Sequence, residues 1–333
     1  MKNAKKSSNQ KNNHCRTNQN SKFVLGALAT AAALPMASPP AAGAADASSA
    51  KVDALVNFDF SNEYLTPRGM IVQDKGLTFQ PLILGFVNVY KGDSNSFIND
   101  VTLVPGIWAD FSSGGVSINP PFGSGPKTAF VETDPIAGVS TSFANHFKLD
   151  VTYTAFIMQI LNIGTSQHLD TKLNFDDSSY LKAFALHPYV EYWRELARKS
   201  TAADVPYIVD PLNKHPGAGP TSSGYFEVGV APSYTFDTVG LKLELPCRVL
   251  MPQKQFYGEY YGGTSFIGLY EVGVKATLPM KFMPDGYGHW SFHIGAKYQG
   301  FEDVNLKGMQ QFNAPGHAVS ESWAVYGGVS TFF

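Results

Sequence analysis

Residues 290–299 read Trp-Ser-Phe-His-Ile-Gly-Ala-Lys-Tyr-Gln. Taken alternately, Trp290, Phe292, Ile294, Ala296 and Tyr298 form one face, and Ser291, His293, Gly295, Lys297 and Gln299 form the other. A period of two predicts an extended strand, because successive side chains leave opposite faces of a pleated chain. The split recurs from Tyr270, where Tyr270, Val272, Val274, Ala276, Leu278 and Met280 oppose Glu271, Gly273, Lys275, Thr277 and Lys281. It recurs again near Leu241, with Leu241, Leu243, Leu245, Cys247 and Val249 against Lys242, Glu244 and Arg248. The dry core of a soluble sandwich does not accept several charges in series on one strand face. A membrane barrel does, turning the apolar face to lipid and the charged face to a wet lumen.

The alternation extends over twelve segments, at about 52–64, 77–90, 100–111, 130–143, 147–159, 169–176, 180–196, 225–237, 240–252, 266–283, 290–302 and 322–333. Connections after the even segments are mostly short (144–146, 177–179, 238–239, 284–289), with 91–99 somewhat longer. Those after the odd segments are mostly long (112–129, 197–224, 303–321). An even strand count with loop length sorted by parity predicts an all-β, antiparallel transmembrane barrel with short periplasmic turns and longer extracellular loops. Aromatics gather at the segment ends: Tyr64, Tyr90, Phe111, Phe143, Phe147, Tyr225, Phe236, Phe282, Trp290 and Trp323. There they are expected to form interfacial girdles. Pro81, Pro105, Pro135, Pro188, Pro232, Pro246 and Pro279 fall inside the segments, where each removes a ladder donor and predicts a bulge, a break or a strand end. The last segment carries Trp323, Val325, Val329, Thr331 and Phe333 on one face.

Composition agrees. The 333 residues are 44% hydrophobic, 13% aromatic and only 16% charged. This excludes a disordered chain, a coiled coil and a nucleic-acid binder. Mean hydropathy is −0.10, and past residue 44 no apolar run reaches the length of a membrane helix. Residues 1–22 hold Lys2, Lys5, Lys6, Lys11, Arg16 and Lys22 without an acid, and an apolar stretch from Phe23 to Leu34 and a small-residue site at 42–44 follow. That order predicts a cleaved secretory signal over 1–44 and a single barrel domain over 45–333. Without the leader, 19 basic residues face 27 acidic ones, a formal charge of −8, which disfavours nucleic acid as a partner. One cysteine, Cys247, remains, so no internal disulfide is expected.

Four stretches resemble known proteins. Tyr225-Phe-Glu-Val-Gly-Val-Ala-Pro-Ser-Tyr, Leu243-Glu-Leu-Pro and Gly286-Tyr-Gly-His-Trp-Ser look like uncharacterised Gram-negative outer-membrane barrels. Glu63-Tyr64-Leu65-Thr66-Pro67-Arg68-Gly69 is similar to the Tyr-x-x-Arg-Gly element near the start of TorF-type porins, with Pro67 extra. The resemblance implies an outer-membrane channel without naming a solute. The partners it implies are outer-membrane lipid and the barrel-assembly machinery, the latter reading the C-terminal strand through Phe333.

The alternation also nominates the lumen. Its acids are Asp59, Glu63, Glu132, Asp134, Asp150, Asp176, Glu191, Glu195, Glu227, Glu244 and Glu271, and its bases are Lys148, Lys172, Lys182, Lys242, Arg248, Lys275, Lys281 and Lys297. His293 shares the inward face of 290–299. His187, Tyr189, Glu191, Trp193 and Glu195 share one face and suggest a solute platform or lumen packing. The expected role is passive diffusion of small polar solutes through a narrow, mixed-charge lumen. The alternative is a plugged barrel whose charges pair into a network and whose loops bind a partner. No histidine has a serine at a spacing that suggests a nucleophile pair, no phosphate-cradling loop is present, and Asp176-Asp177 and His168-x-Asp170 lack a third spaced metal ligand. The chain is therefore expected to be neither an enzyme nor a cofactor protein, and to be monomeric.

Overall fold

The computed structural model describes residues 51–74, 76–93, 95–116, 128–159, 165–196, 223–254, 256–258, 262–284, 286–313 and 320–333. Twelve antiparallel strands close into one barrel. They are β1 (Val52–Ser61), β2 (Thr78–Lys91), β3 (Ile98–Val116), β4 (Thr128–Phe143), β5 (Phe147–Met158) and β6 (Ser166–Phe175). β7 (Tyr189–Glu195), β8 (Gly224–Val230 with Ser233–Phe236) and β9 (Leu241–Glu244 with Cys247–Pro252) follow, then β10 (Leu269–Pro279), β11 (His289–Phe301) and β12 (Glu321–Phe332). Each pairs with its sequence neighbour, and β12 pairs back onto β1 with Leu55 opposite Phe332 and Ser61 opposite Tyr326. Closure leaves no free sheet edge, which a strand in lipid could not tolerate. Among the described residues no helix is long and apolar enough to cross a membrane. The leader expected at 1–44, the loop residues 117–127 and most of the 197–224 connection lie outside the described residues.

The two faces separate as their chemistry requires. Ile83, Leu103, Ile107, Val139, Val190, Val228, Val272, Val274, Phe292, Ile294 and Val325 are exposed on the outside, while Asn57, Asp59, Gln80, Asp150, Lys172, Glu227 and Lys297 are buried inside. A wall with its hydrophobic residues outward and its charges inward is the pattern of a transmembrane β-barrel. Of the girdle candidates, Tyr90, Phe111, Phe236, Phe282 and Trp323 are exposed, but Tyr64 and Tyr225 are 1% and 0% exposed and point into the barrel.

The prolines behave in two ways. Pro232 and Pro246 split β8 and β9, Pro279 ends β10, and Pro188 precedes β7. Pro81, Pro105 and Pro135 lie within continuous strands, each paired on one side, with Phe58, Ala137 and Ile107 opposite them. On the other side pairing lapses and then resumes in register, between Phe79–Phe111 and Leu82–Trp108, between Leu84–Gly106 and Val87–Leu103, and between Thr133–Ile157 and Ile136–Thr154. The missing N–H thus costs one rung on one side only.

Several boundaries differ from the sequence reading; the third strand, for one, runs Ile98–Val116 rather than 100–111. The first segment stops at Ser61; Tyr64–Leu65 pairs instead with Ile71–Gln73 in a small separate hairpin. The tenth strand runs 269–279, not 266–283. Residues 180–188 are not strand: Ser178–Leu181 and Lys182–Phe184 form consecutive helical turns. Asp177 closes that segment by accepting from the amides of Leu186 at 2.9 Å and His187 at 3.0 Å. A helix, Val304–Asn313, occupies the connection read only as a long loop.

Candidate functional site: a charged lumen beneath a filled mouth

Strand register stacks the inward charges into a belt. Asp150 lies opposite Lys172, Lys172 opposite Glu191, and Glu191 opposite Glu227, at one level across β5 to β8. The belt continues through Arg248 opposite Glu271 and Glu271 opposite Gln299. Contacts knit it together. Arg248 reaches Glu227 at 2.6 Å and Glu271 at 3.1 Å, Lys297 lies 3.9 Å from Glu271, and Gln299 donates to Glu271 at 2.5 Å. Lys172 lies 3.2 Å from Glu191 and 3.6 Å from the centroid of the Tyr189 ring, whose hydroxyl donates to Glu227 at 2.7 Å. Lys148 pairs with Asp150 at 3.3 Å and Lys242 with Glu244 at 2.6 Å. Lys275 stands opposite Glu244 in the ladder, and His293 hydrogen-bonds Asp59.

Apart from the half-buried Tyr189, these groups are 0–8% exposed. In this conformation the belt is a paired network filling the lumen beside β5–β11. Facing it, the half of β1–β4 toward the chain's N-terminal end and the end of β12 supply Leu55, Leu82, Leu84, Phe86, Val104, Trp108, Ile136 and Phe332, packed as one apolar cluster. Some polar atoms find no protein partner: Asp110 Oδ2, Asp170 Oδ1, Glu244 Oε2 and Gln299 Oε1 are buried without a hydrogen bond. Orphaned oxygens at such depth suit a hydrated or solute-accepting lumen better than a dry core.

The mouth, at the end bearing the long connections, is closed by three of them. The 64–73 hairpin turns inward at Thr66-Pro67-Arg68-Gly69, where Gly69 N–H donates to Thr66 O at 2.9 Å. Gly69 has φ +89°, and a Cβ there would meet Leu269 Cδ2 at 2.5 Å, so the position requires glycine. Leu65, Met70 and Ile71 of the hairpin, Phe256 and Tyr257 after β9, and Leu306 and Met309 of the helix pack on Phe156, Trp193, Tyr225, Leu250, Leu269 and Phe301 of the wall. Polar contacts lock the hairpin. Gln310 accepts from Ile71 N–H at 3.0 Å and donates to Gly69 O at 2.6 Å, while Tyr257 OH donates to Arg68 O at 2.7 Å. Tyr64 OH donates to Glu132 at 2.5 Å, and Ser322 donates to Glu63 at 2.6–2.7 Å.

Of the nominated residues, Asp59, Glu132, Asp134, Lys148, Asp150, Glu191, Trp193, Glu227, Lys242, Glu244, Arg248, Glu271, Lys275, His293 and Lys297 all lie buried inside the barrel. Tyr189 is half-buried and joins the belt. Glu63 is buried just past β1 rather than on a strand. Lys182 and Lys281 are exposed, because each sits in a connection where alternation no longer applies. His187 lies before β7, outside the strand face assigned to it, with Nδ1 3.8 Å from both Asp176 and Asp177. That histidine is the third ligand-type side chain which spacing alone did not supply. The inward hairpin and Arg68 were legible only as a motif, since nothing in alternation shows a loop turning into the lumen.

Ser166 and His168 were also missed as a pair. Two residues apart on one strand face, they bring Oγ within 2.7 Å of Nε2. His168 stacks on Trp193 with centroids 4.0 Å apart, and its Nδ1 is buried without a hydrogen-bond partner. The arrangement serves aromatic packing.

No protein-family model and no curated relative matches the chain. Solved structures similar to it include an outer membrane channel of Pseudomonas putida F1 (11% identity, TM-score 0.40, covering 86% of this chain and 97% of that one). Others are outer membrane phospholipase A of Escherichia coli (10%, 0.38, covering 84% and 89%) and OprB of Pseudomonas putida (9%, 0.38, covering 86% and 94%).

Proposed function

We propose that this barrel resides in a Gram-negative-type outer membrane and is a porin-like channel for small polar solutes. The belt of inward charges on β5–β11 carries this reading. Buried ion pairs are poor stabilisers, and apolar side chains of similar volume would fill a purely structural lumen at lower cost. Charges retained level by level along one wall suit a path that becomes wet when the mouth opens. Its partners are then lipid on the outer face, the assembly machinery at β12 and the adjoining Phe333, and a small polar solute within; the barrel works as a monomer and catalyses nothing.

A second reading has its own observation in favour. The mouth is packed by three connections and the charges are mutually paired, as expected of a closed structural barrel with partner-binding loops. Single-channel recording of protein extracted from the outer-membrane fraction decides between the two. Discrete, reproducible conductance steps are expected. Folded, heat-modifiable protein that gives none would overturn the channel reading in favour of the structural one. Recovery of the protein in the soluble fraction would overturn both.

A further inference from the structure

The tip of the inward hairpin puts Arg68 into a chemically specific cage. Its guanidinium carbon lies 4.9 Å from the centroid of the Phe156 ring and 5.3 Å from that of Trp193. Nη1 is 3.7 Å from Glu195 Oε1, with the two side chains 5% and 1% exposed. Glu132 and Asp134, on the neighbouring wall, also lie within electrostatic reach of Arg68. Two aromatic faces and the Glu195 carboxylate thus flank one buried cation. If the side chain left, Glu195 would lose that cation at a desolvated site.

We infer that this cage is a binding site for organic cations bearing a guanidinium or ammonium group, and that Arg68 is its built-in occupant when the mouth is closed. Ring faces offer no lone pair to a metal ion, but they attract a delocalised or alkylated cation, and the flanking carboxylate adds directional hydrogen bonding. The contacts from Gln310 and Tyr257 grip backbone atoms of residues 68, 69 and 71, and those from Ser322 and Tyr64 tie the base of the hairpin to the wall, away from the Phe156–Trp193–Glu195 cage. Cage and latch are therefore separable: a competing cation can take over the cage while the loop is released. As a binding site the cage stands independently; its use in selecting solutes rests on the channel reading above.

The test uses the full chain folded in detergent, with Arg68→Ala and with Arg68→Met, which keeps an apolar stem. Ethylguanidinium is titrated by calorimetry at constant ionic strength, with ethylurea as the neutral control. Saturable binding of ethylguanidinium alone is expected in both variants, at least tenfold weaker in the unsubstituted protein, where Arg68 competes. It should disappear when Arg68→Met is combined with Glu195→Gln or Trp193→Leu. Absence of saturable binding in the folded variants, or equal binding of ethylurea, overturns the inference. Should neither Arg68 variant fold, Gln310→Ala serves instead: the weakened latch should raise ethylguanidinium affinity above that of the unsubstituted protein, and no change overturns the inference. The same probe is then added to planar bilayers. Currents insensitive to it would overturn the cage's use in selecting solutes and leave the channel, whereas binding without any current would overturn the channel and leave the cage.

Discussion

The lumen has two walls built from opposite chemistry. Along the N-terminal-end half of β1–β4, Leu55, Leu82, Leu84, Phe86, Val104, Trp108 and Ile136 close the interior with carbon. Along β5–β11, Lys172, Glu191, Glu227, Arg248, Glu271 and Lys297 close it with charge. The first closure is indifferent to salt and does not exchange for water, because parting packed side chains leaves a void that water does not fill favourably. The second depends on both partners of every pair, and each partner can be exchanged for water or a polar solute. Any opening of this barrel should therefore run along the charged wall, with the apolar wall staying as a fixed backrest.

Removing one member of the charged wall should have the largest effect. Arg248→Met leaves Glu227 and Glu271 facing each other at a buried site, a loss expected at about 3–5 kcal/mol by urea unfolding in detergent. Adding Glu227→Gln and Glu271→Gln should restore most of that stability. On the apolar wall, Leu84→Ala at a 2% exposed position should cost about 2–4 kcal/mol, with no dependence on salt. If Arg248→Met instead costs less than Leu84→Ala, the charged wall is already hydrated and the contrast between the walls fails.

Which of these walls the sequence displays depends on how local the signal is. Alternation is a property of neighbouring residues, so the charged face of β10 and β11 and nearly every strand could be read without knowing what lay opposite. Closure and register then carried those residues to the right place. The mouth could not be read this way. Arg68 meets Phe156 and Trp193 through a hairpin that folds back on the wall, and Gln310 meets Gly69 across 241 residues. The 304–313 helix was hidden for the same reason, since its buried Leu306 and Met309 face a cluster assembled from several distant segments. Residues 180–188 misled because their apolar residues run on into β7, while the backbone follows Asp177, whose carboxylate gathers the amides of 186 and 187.

The entry to the 304–313 helix also provides the gentlest probe of the contrast between walls, because a buried and an exposed acid stand side by side just before it. Asp303, 0% exposed, accepts from the amides of Asn305 at 2.8 Å and Leu306 at 3.2 Å and, across the mouth, of Ser265 at 2.7 Å. Asp303→Ala removes a helix cap and a loop tie together, and should lower stability by about 1–2 kcal/mol. Glu302 next to it pairs with Lys307 at 3.9 Å, but their side chains are 50% and 33% exposed. Water competes for both of them, so Lys307→Ala should change the unfolding free energy by no more than about 0.5 kcal/mol. The same opposite charges that hold the lumen wall should thus count for almost nothing at the rim. A Lys307→Ala loss approaching that of Arg248→Met would mean that burial is not what gives the lumen charges their strength.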